Sequence, residues 1–137
     1  MNMLGIRQPE IYGKATYQDL CDMLQTEADK LGMDISFFQS NHEGVLVDVI
    51  QSALGKADGI VINPAAYTHT SVAILDALKA VRIPAVEVHI SDVSKREDFR
   101  QISYARLACV RTIMGQGLDG YRQAILFLKD YLENADR

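Results

Sequence analysis

Stretches with helical spacing of apolar residues alternate along this chain with short β-prone runs. Four stretches place their apolar residues three and four positions apart, at 17–31, 45–54, 71–81 and 121–132. Between them lie shorter runs that favour strands, at 35–38, 59–62, 83–90 and 109–114. Helices that alternate with strands predict a parallel sheet with helices on both faces. We therefore predict one α/β domain over residues 1–137, with about four strands.

Residues at the ends of these segments support the boundaries. Thr16 suits the N-cap of the first helix, with Asp19 three residues on, and Gly32 suits its end. Pro84 stands near the start of its strand, where proline is tolerated. The charged residues 92–100 predict a short helical turn.

Composition and charge argue against some classes of binding partner. Of its 137 residues, 48% are hydrophobic and 23% charged, and its net charge is −4. This charge argues against a nucleic-acid partner, because such binding neutralises many phosphates. The apolar runs fall well short of the roughly 20 residues that a membrane span needs. We see no charged-then-apolar leader and expect a cytoplasmic protein without a membrane partner.

Several kinds of site find no support in the sequence. Cys21 and Cys109 lie far apart without CxxC spacing, and we interpret them as two buried thiols. No cluster of His, Cys, Asp and Glu has metal-ligand spacing, so we expect no metal. Residues 115–120 resemble a dinucleotide loop only weakly, because they follow the last strand whereas such loops follow the first. Their glycines predict a tight turn instead.

Two histidines stand where apolar runs give way to polar residues. His69 follows one run and His89 ends another. The carboxyl ends of parallel strands meet at one edge of a sheet, where open α/β sheets bind their ligands. The sequence therefore predicts an active site shared by two strand ends. Helix capping explains the neighbouring hydroxyls but not His69 itself, and these hydroxyls belong to Thr68, Thr70 and Ser71.

Glu87 and His89 are two positions apart in a predicted strand and so share a face. A carboxylate beside an imidazole orients the ring and fixes its tautomer for use as a general acid. The alternative is a satisfied histidine at a sheet edge with a surface glutamate. Ile90 and Ser91 follow, where backbone N–H groups and a hydroxyl can hold a substrate carboxylate.

Arginines offer positive charge at two places. Arg7 lies five residues before Tyr12 in a polar segment bounded by glycines. A close guanidinium can hold a tyrosine ionised as a base, although the ordinary pKa of tyrosine is about 10. Composition alone favours a packing role for Tyr12 and a solvated Arg7. Arg96 and Arg100 either supply charge to the site or form a solvated helix face.

Six blocks in the right order resemble the type II 3-dehydroquinate dehydratases over almost the whole chain. They are residues 4–13, 38–44, 62–71, 87–91, 96–100 and 103–104. Together they are far more specific than any one block. The resemblance implies a flavodoxin-like, three-layer αβα fold with a parallel sheet. It also implies dehydration of 3-dehydroquinate to 3-dehydroshikimate through an enolate, without cofactor or metal.

The resemblance further implies a role for each matched residue. Tyr12 would remove the proton from C2, and Arg7 would keep that tyrosine ionised. His89 would protonate the departing C1 hydroxyl, oriented by Glu87. The other substrate-binding matches are Asn63, His69 and Arg100 for the ring hydroxyls, and Ile90 and Ser91 for the carboxylate. Asp76 matches a residue that reaches a neighbouring subunit's site, since the family forms trimers that assemble into dodecamers.

Three features depart from the family pattern. Asp92 stands where asparagine is common and Ala65 where glycine is frequent, and we expect both to be tolerated. Relatives begin with an interior apolar strand ending in Gly-Pro-Asn, just before the segment that here starts at Met1, and its asparagine helps to stabilise the enolate through a water. We expect the true start to lie upstream. The alternative is a shortened relative with a rearranged sheet.

Two other function classes stay open. One is an impaired relative that binds a shikimate-like ligand or assembles with active subunits. The other is a flavodoxin-like nucleotide or flavin binder, for which a phosphate loop at the first βα turn is missing. The sequence does not separate the shikimate pathway from quinate catabolism.

Overall fold

A computed structural model of the chain describes residues 1–4 and 14–135. The helices and strands of these ranges are α1 (Tyr17–Leu31), α2 (Glu43–Ser52), β1 (Ile60–Ile62), α3 (Val72–Val81), β2 (Ala85–His89), β3 (Arg111–Met114) and α4 (Asp119–Ala135). Short 3-10 helices lie between them, at Ala65–His69, Val93–Lys95, Asp98–Gln101 and Ala105–Ala108. The alternation of helices and strands agrees with the sequence prediction.

The three strands form one parallel sheet in the order β1-β2-β3. Ile60 lies opposite Ala85, and Val86 lies opposite Arg111. The central strand is therefore β2, with a partner on each side. A parallel sheet directs all its strand ends to one edge, and this confirms that the residues after β1 and β2 share that edge.

Helices cover both faces of the sheet. On one face, the central strand contributes Val86 and Val88 to a core with α1 and α4. The helical members of that core include Leu20, Leu24, Tyr121, Ala124, Ile125 and Leu128. On the other face, Ala85 belongs to a core with Ile50 of α2 and Leu78 of α3. The three-layer αβα prediction is confirmed.

The helix ends follow the predicted capping. Thr16 accepts a hydrogen bond from the Asp19 N–H at 3.1 Å, and the Asp19 carboxylate accepts one from the Thr16 N–H at 2.9 Å. Gly32 ends α1 with φ +67°, a left-handed conformation that suits glycine. Gly115 and Gly117 also have positive φ and form the predicted turn before α4.

The prediction of a strand at 35–38 was wrong for the described residues. Ile35 and Phe37 pack against the first core, while Ser36 and Phe38 are exposed. The side chains thus alternate as in a strand, but the segment makes no ladder with β1, β2 or β3. A strand needs a hydrogen-bonded neighbour as well as alternation, and sequence periodicity reports only alternation.

The remaining expectations concern thiols and membranes. Cys21 is buried and Cys109 half-buried, and both are free thiols. The interpretation as two buried thiols is therefore right for Cys21 and only partly right for Cys109. Across the described residues, no helix combines the length and apolar character that a bilayer crossing requires.

Arg82 offers a clean test of backbone strain, because it ends α3 with φ +57° and an exposed side chain. The left-handed region costs an L-residue roughly 1–2 kcal/mol, part of which glycine recovers. We expect Arg82→Gly to raise the free energy of unfolding by about 1 kcal/mol in urea denaturation. Arg82→Ala is the control, and a glycine variant no more stable than it would contradict this explanation.

Candidate functional site

A cleft of about 180 Å³ opens at the carboxyl edge of the sheet. Its walls include residues that follow β1 and β2, together with the Val93–Lys95 region and the first residues of the chain. The predicted site residues that line it are Asn63, His69, His89, Ile90, Ser91 and Arg100. The structure therefore brings together six side chains that are spread over 38 positions of the sequence, from 63 to 100.

Glu87 and His89 form a buried, hydrogen-bonded pair at this site. The Nε2 atom of His89 lies 2.9 Å from Oε1 of Glu87, and the two residues are 5% and 0% exposed. Because a carboxylate only accepts, Nε2 donates in this contact. The interpretation of Glu87 as a surface residue beside an edge histidine was wrong, since β2 is the central strand of the sheet.

Three more side chains hold the Glu87 carboxylate. The Ser103 hydroxyl donates to Oε2 at 2.5 Å, and the Thr68 hydroxyl donates to the same atom at 3.3 Å. Arg106 donates from Nη2 to Oε1 at 3.4 Å. A buried charge is costly unless it is paired and hydrogen-bonded, and here every oxygen has at least two donors.

Electrostatics keep Glu87 ionised. Burial by itself would raise the pKa of this carboxyl, but the hydrogen bonds from His89 and Ser103 act in the opposite direction. The positive charge of Arg106 adds to their effect, so the pKa of Glu87 lies below its ordinary value. The side chain is therefore a carboxylate at neutral pH, able to orient His89.

His69 lies at the end of the Ala65–His69 helix and points into the cleft from the other side. Its Nδ1 lies 2.7 Å from the carbonyl oxygen of Ile102. Since a carbonyl only accepts, Nδ1 carries the proton, and Nε2 of the neutral ring is left as an acceptor. An acceptor at this point suits a hydroxyl group of a ligand.

The Asn63 amide follows β1 and is held at both ends. Its nitrogen donates to the Tyr121 hydroxyl at 2.7 Å, and its oxygen accepts from the Ala65 N–H at 2.9 Å. The amide nitrogen also donates to the Met1 sulfur at 3.5 Å, so part of the oxygen remains for a ligand. Burial raises the pKa of Tyr121, so its hydroxyl stays neutral and can accept from Asn63.

The structure accommodates Ala65 and Asp92, the two minor departures from the family pattern. Ala65 has φ +52°, a left-handed conformation that glycine adopts without strain, and the chain accommodates alanine there. Asp92 accepts hydrogen bonds from the Ser94 N–H at 3.0 Å and from the Ser94 hydroxyl. Asp92 thereby caps the Val93–Lys95 helix beside the cleft.

Cationic and polar groups surround the end of β2. Ile90 is buried and Ser91 half-buried at the strand exit, in the place expected for a carboxylate pocket. Arg96 and Arg100 also line the cleft, with side chains only 20% and 23% exposed. Arg100 donates from Nε to Glu97 at 2.6 Å. These positions favour a role in the site over a solvated helix face.

One predicted site residue lies away from this cleft, and two others are not described by the structure. Asp76 lies on the exposed face of α3, outside the cleft of its own chain. Arg7 and Tyr12 lie outside the described residues, so their predicted roles rest on the sequence. In the part of the chain that the structure covers, no group of three His, Cys, Asp or Glu side chains is placed to hold a metal ion.

The sequence did not predict that Thr68, Ser103 and Arg106 contact Glu87. Capping was predicted for the hydroxyls around His69, and it holds for Ser71, whose oxygen accepts from the Ile74 N–H at 2.9 Å. It was wrong for Thr68, whose hydroxyl instead contacts Glu87 and lies 2.6 Å from the Ser103 oxygen. Ser103 belongs to block 103–104 of the family resemblance, which could have identified it. Nothing in the sequence indicated Arg106.

Comparison with known proteins identifies relatives of this arrangement. A model of the family "Dehydroquinase class II" matches residues 1–129. A 3-dehydroquinate dehydratase of Clostridium acetobutylicum is 49% identical over 132 residues, covering 96% of this chain and 92% of that protein. One from Aliarcobacter butzleri is 52% identical over 128 residues, covering 93% and 78%. The crystal structure of type II dehydroquinase from Butyrivibrio crossotus superposes with a TM-score of 0.91 at 49% identity, covering 93% and 89%.

Glu87→Gln tests the stabilising effect of the buried carboxylate. We expect the substitution to lower the free energy of unfolding by about 2 kcal/mol at pH 7, because it leaves Arg106 and His89 without their anion. The carboxylate of Glu87 stabilises the fold above its ordinary pKa of 4.5, and this contribution is lost as the pH falls through the lower folded value. The difference between the wild type and the variant should therefore shrink as the pH falls below about 4.5 and vanish below the folded pKa of Glu87.

Urea denaturation at a series of pH values measures this convergence. Glu133→Gln is the matched control, since Glu133 is 60% exposed, and we expect it to change stability by no more than about 0.5 kcal/mol. A difference between wild type and Glu87→Gln that stays constant down to pH 3 would contradict the assignment of an ionised Glu87.

Proposed function

Since this chain belongs to the class II dehydroquinase family, we propose that it dehydrates 3-dehydroquinate to 3-dehydroshikimate as a hydro-lyase. One observation carries the proposal. The buried Glu87–His89 pair, joined at 2.9 Å, opens onto the cleft that also contains Asn63, His69 and Arg100. An oriented imidazole beside polar and cationic groups suits acid catalysis on a hydroxylated carboxylic acid.

The reaction removes a proton and a hydroxyl group from adjacent carbons in an anti elimination. Tyr12, ionised beside Arg7, takes the proton from C2, and the electron pair of that bond moves onto the ketone to give an enolate. The enolate then collapses to form the C1–C2 double bond and expels the C1 hydroxyl. His89 gives that hydroxyl a proton, so it leaves as water.

The hydrogen bond to Glu87 decides which nitrogen of His89 can serve as the acid. Nε2 donates to the Glu87 carboxylate, so Nδ1 is the atom left to carry the transferable proton. The carboxylate also stabilises the imidazolium before transfer. Glu87 thus orients the acid without giving up a proton itself.

The other matched residues bind the substrate. His69 presents Nε2 as an acceptor, Asn63 presents its amide oxygen, and Arg100 presents a guanidinium, all suitable for ring hydroxyls. Ile90 and Ser91 at the end of β2 take the substrate carboxylate, where positive charge from the nearby arginines favours an anion.

The proposal also covers the oligomeric state of the chain, its cellular compartment and its pathway. The chain forms trimers that combine into a dodecamer, and Asp76 of one subunit reaches the site of the next, consistent with its exposed position on α3. The enzyme works in the cytoplasm, in the shikimate pathway or in quinate catabolism, without metal or cofactor.

Removal of the proposed acid or base tests the mechanism. We expect His89→Gln and Tyr12→Phe each to lower kcat by about a thousandfold, because each removes one of the two proton transfers. The rate is read from the enone absorbance of the product after addition of 3-dehydroquinate. His42→Gln is the matched control, since His42 lies exposed at the start of α2 and outside the cleft, and its kcat should equal that of the wild type.

Two results would contradict the proposal. A wild-type chain that gives no enone refutes the dehydratase function. A Tyr12→Phe variant that retains the full rate refutes Tyr12 as the base, whatever the wild type does.

Light scattering after size exclusion tests the assembly. We expect a mass twelve times that of the 15.3 kDa chain. Asp76→Ala should raise KM by about tenfold with the mass unchanged, because the loss of one substrate contact costs about 1.4 kcal/mol. A monomer with full activity would exclude any contribution from a neighbouring subunit.

A further inference from the structure

Arg106 lies in the short 3-10 helix Ala105–Ala108 and contacts the Glu87–His89 pair. Its Nη2 lies 3.4 Å from Oε1 of Glu87, the same oxygen that accepts from His89 at 2.9 Å. The Arg106 side chain is 39% exposed and does not line the cleft, whereas Glu87 is fully buried. One carboxylate oxygen is thus shared between the proposed acid and a permanent cation.

We propose that Arg106 is a positioning residue that sets the proton affinity of His89 by sharing the Glu87 oxygen with it. This inference rests on the proposed function, in which His89 is the general acid. It assigns a role in the reaction to a residue that does not line the cleft.

The physical basis is competition for one negative charge. An imidazolium beside an isolated carboxylate holds its proton tightly, which makes it a poor acid. A guanidinium on the same oxygen draws part of the carboxylate charge and repels the imidazolium. His89 then releases its proton to the leaving hydroxyl more readily, while Glu87 stays ionised and oriented.

The backbone around Arg106 holds it in place. Its N–H donates to the Ser103 hydroxyl oxygen at 3.2 Å, and the N–H of Tyr104 donates to the Thr68 carbonyl at 2.8 Å. The Nε atom is buried and has no hydrogen-bond partner among the described residues. Its burial is therefore offset mainly by the attraction between the guanidinium and Glu87.

The other groups around Glu87 do not supply such a charge. Ser103 and Thr68 donate neutral hydroxyls, and burial raises the pKa of the nearby Cys109 thiol to about 12, so the thiol is neutral. The buried residues of α3 on this side of the sheet are apolar, at Ile74, Ala77 and Leu78. Arg96 and Arg100 line the cleft together with His89. Among the described residues, Arg106 is the one Lys or Arg within ion-pair distance of Glu87.

NMR titration of the histidine rings tests this role without relying on activity. The chain has three histidines, so single His→Gln variants assign their signals. We expect Arg106→Gln to move the His89 titration midpoint up by about one unit. Arg106→Lys, which keeps the charge, should move it by less than half as much. Arg111→Gln, which removes the exposed arginine of β3, should leave it unchanged.

Kinetics on the same variants connect the shift to the reaction. In Arg106→Gln the basic limb of the kcat profile should move up with the His89 midpoint, with KM changed less than twofold. A His89 midpoint that does not move in Arg106→Gln, or that moves equally in Arg111→Gln, overturns the inference. A shifted midpoint with no turnover in any variant, including the wild type, supports the effect on His89 and refutes the dehydratase function instead.

Discussion

The buried carboxylate of Glu87 is the constraint on which the site depends. It lies on the central strand with no exposed surface, and an unpaired charge there would cost more than most single interactions in a protein can offset. The fold therefore brings donors to it from two other places in the chain, Thr68 and the segment with Ser103 and Arg106, besides His89 from the same strand. The orientation of His89 in the cleft follows from this arrangement.

The segment 102–106 links both histidines of the site through that constraint. The Ile102 carbonyl selects the tautomer of His69, and Ser103, the next residue, holds the carboxylate that selects the tautomer of His89. One short segment thus determines the tautomers of both histidines. A shift of this segment would disturb His69, the proposed substrate-binding residue, and His89, the proposed acid, together.

Local patterns were sufficient for the described helices and for three of the four expected strands, but they did not reveal which run lacks a pairing partner. The capping box at Thr16 and Asp19 and the turn at Gly115 and Gly117 depend on residues close in sequence, and they are found as predicted. The segment 35–38 alternates like a strand and still makes no ladder within the described residues, because pairing depends on a neighbour that its own residues do not specify.

By itself, the sequence determined the order of elements, the family and the positions of the histidines at the strand ends. Each of these features depends on local periodicity or on motifs of a few residues. Only the tertiary structure decided that Glu87 is buried, that Thr68 binds it rather than capping a helix, and that Arg106 reaches it. Those contacts join residues 16 to 19 positions apart across separate elements. Their formation depends on how the elements pack around a charge, and no local pattern records that packing.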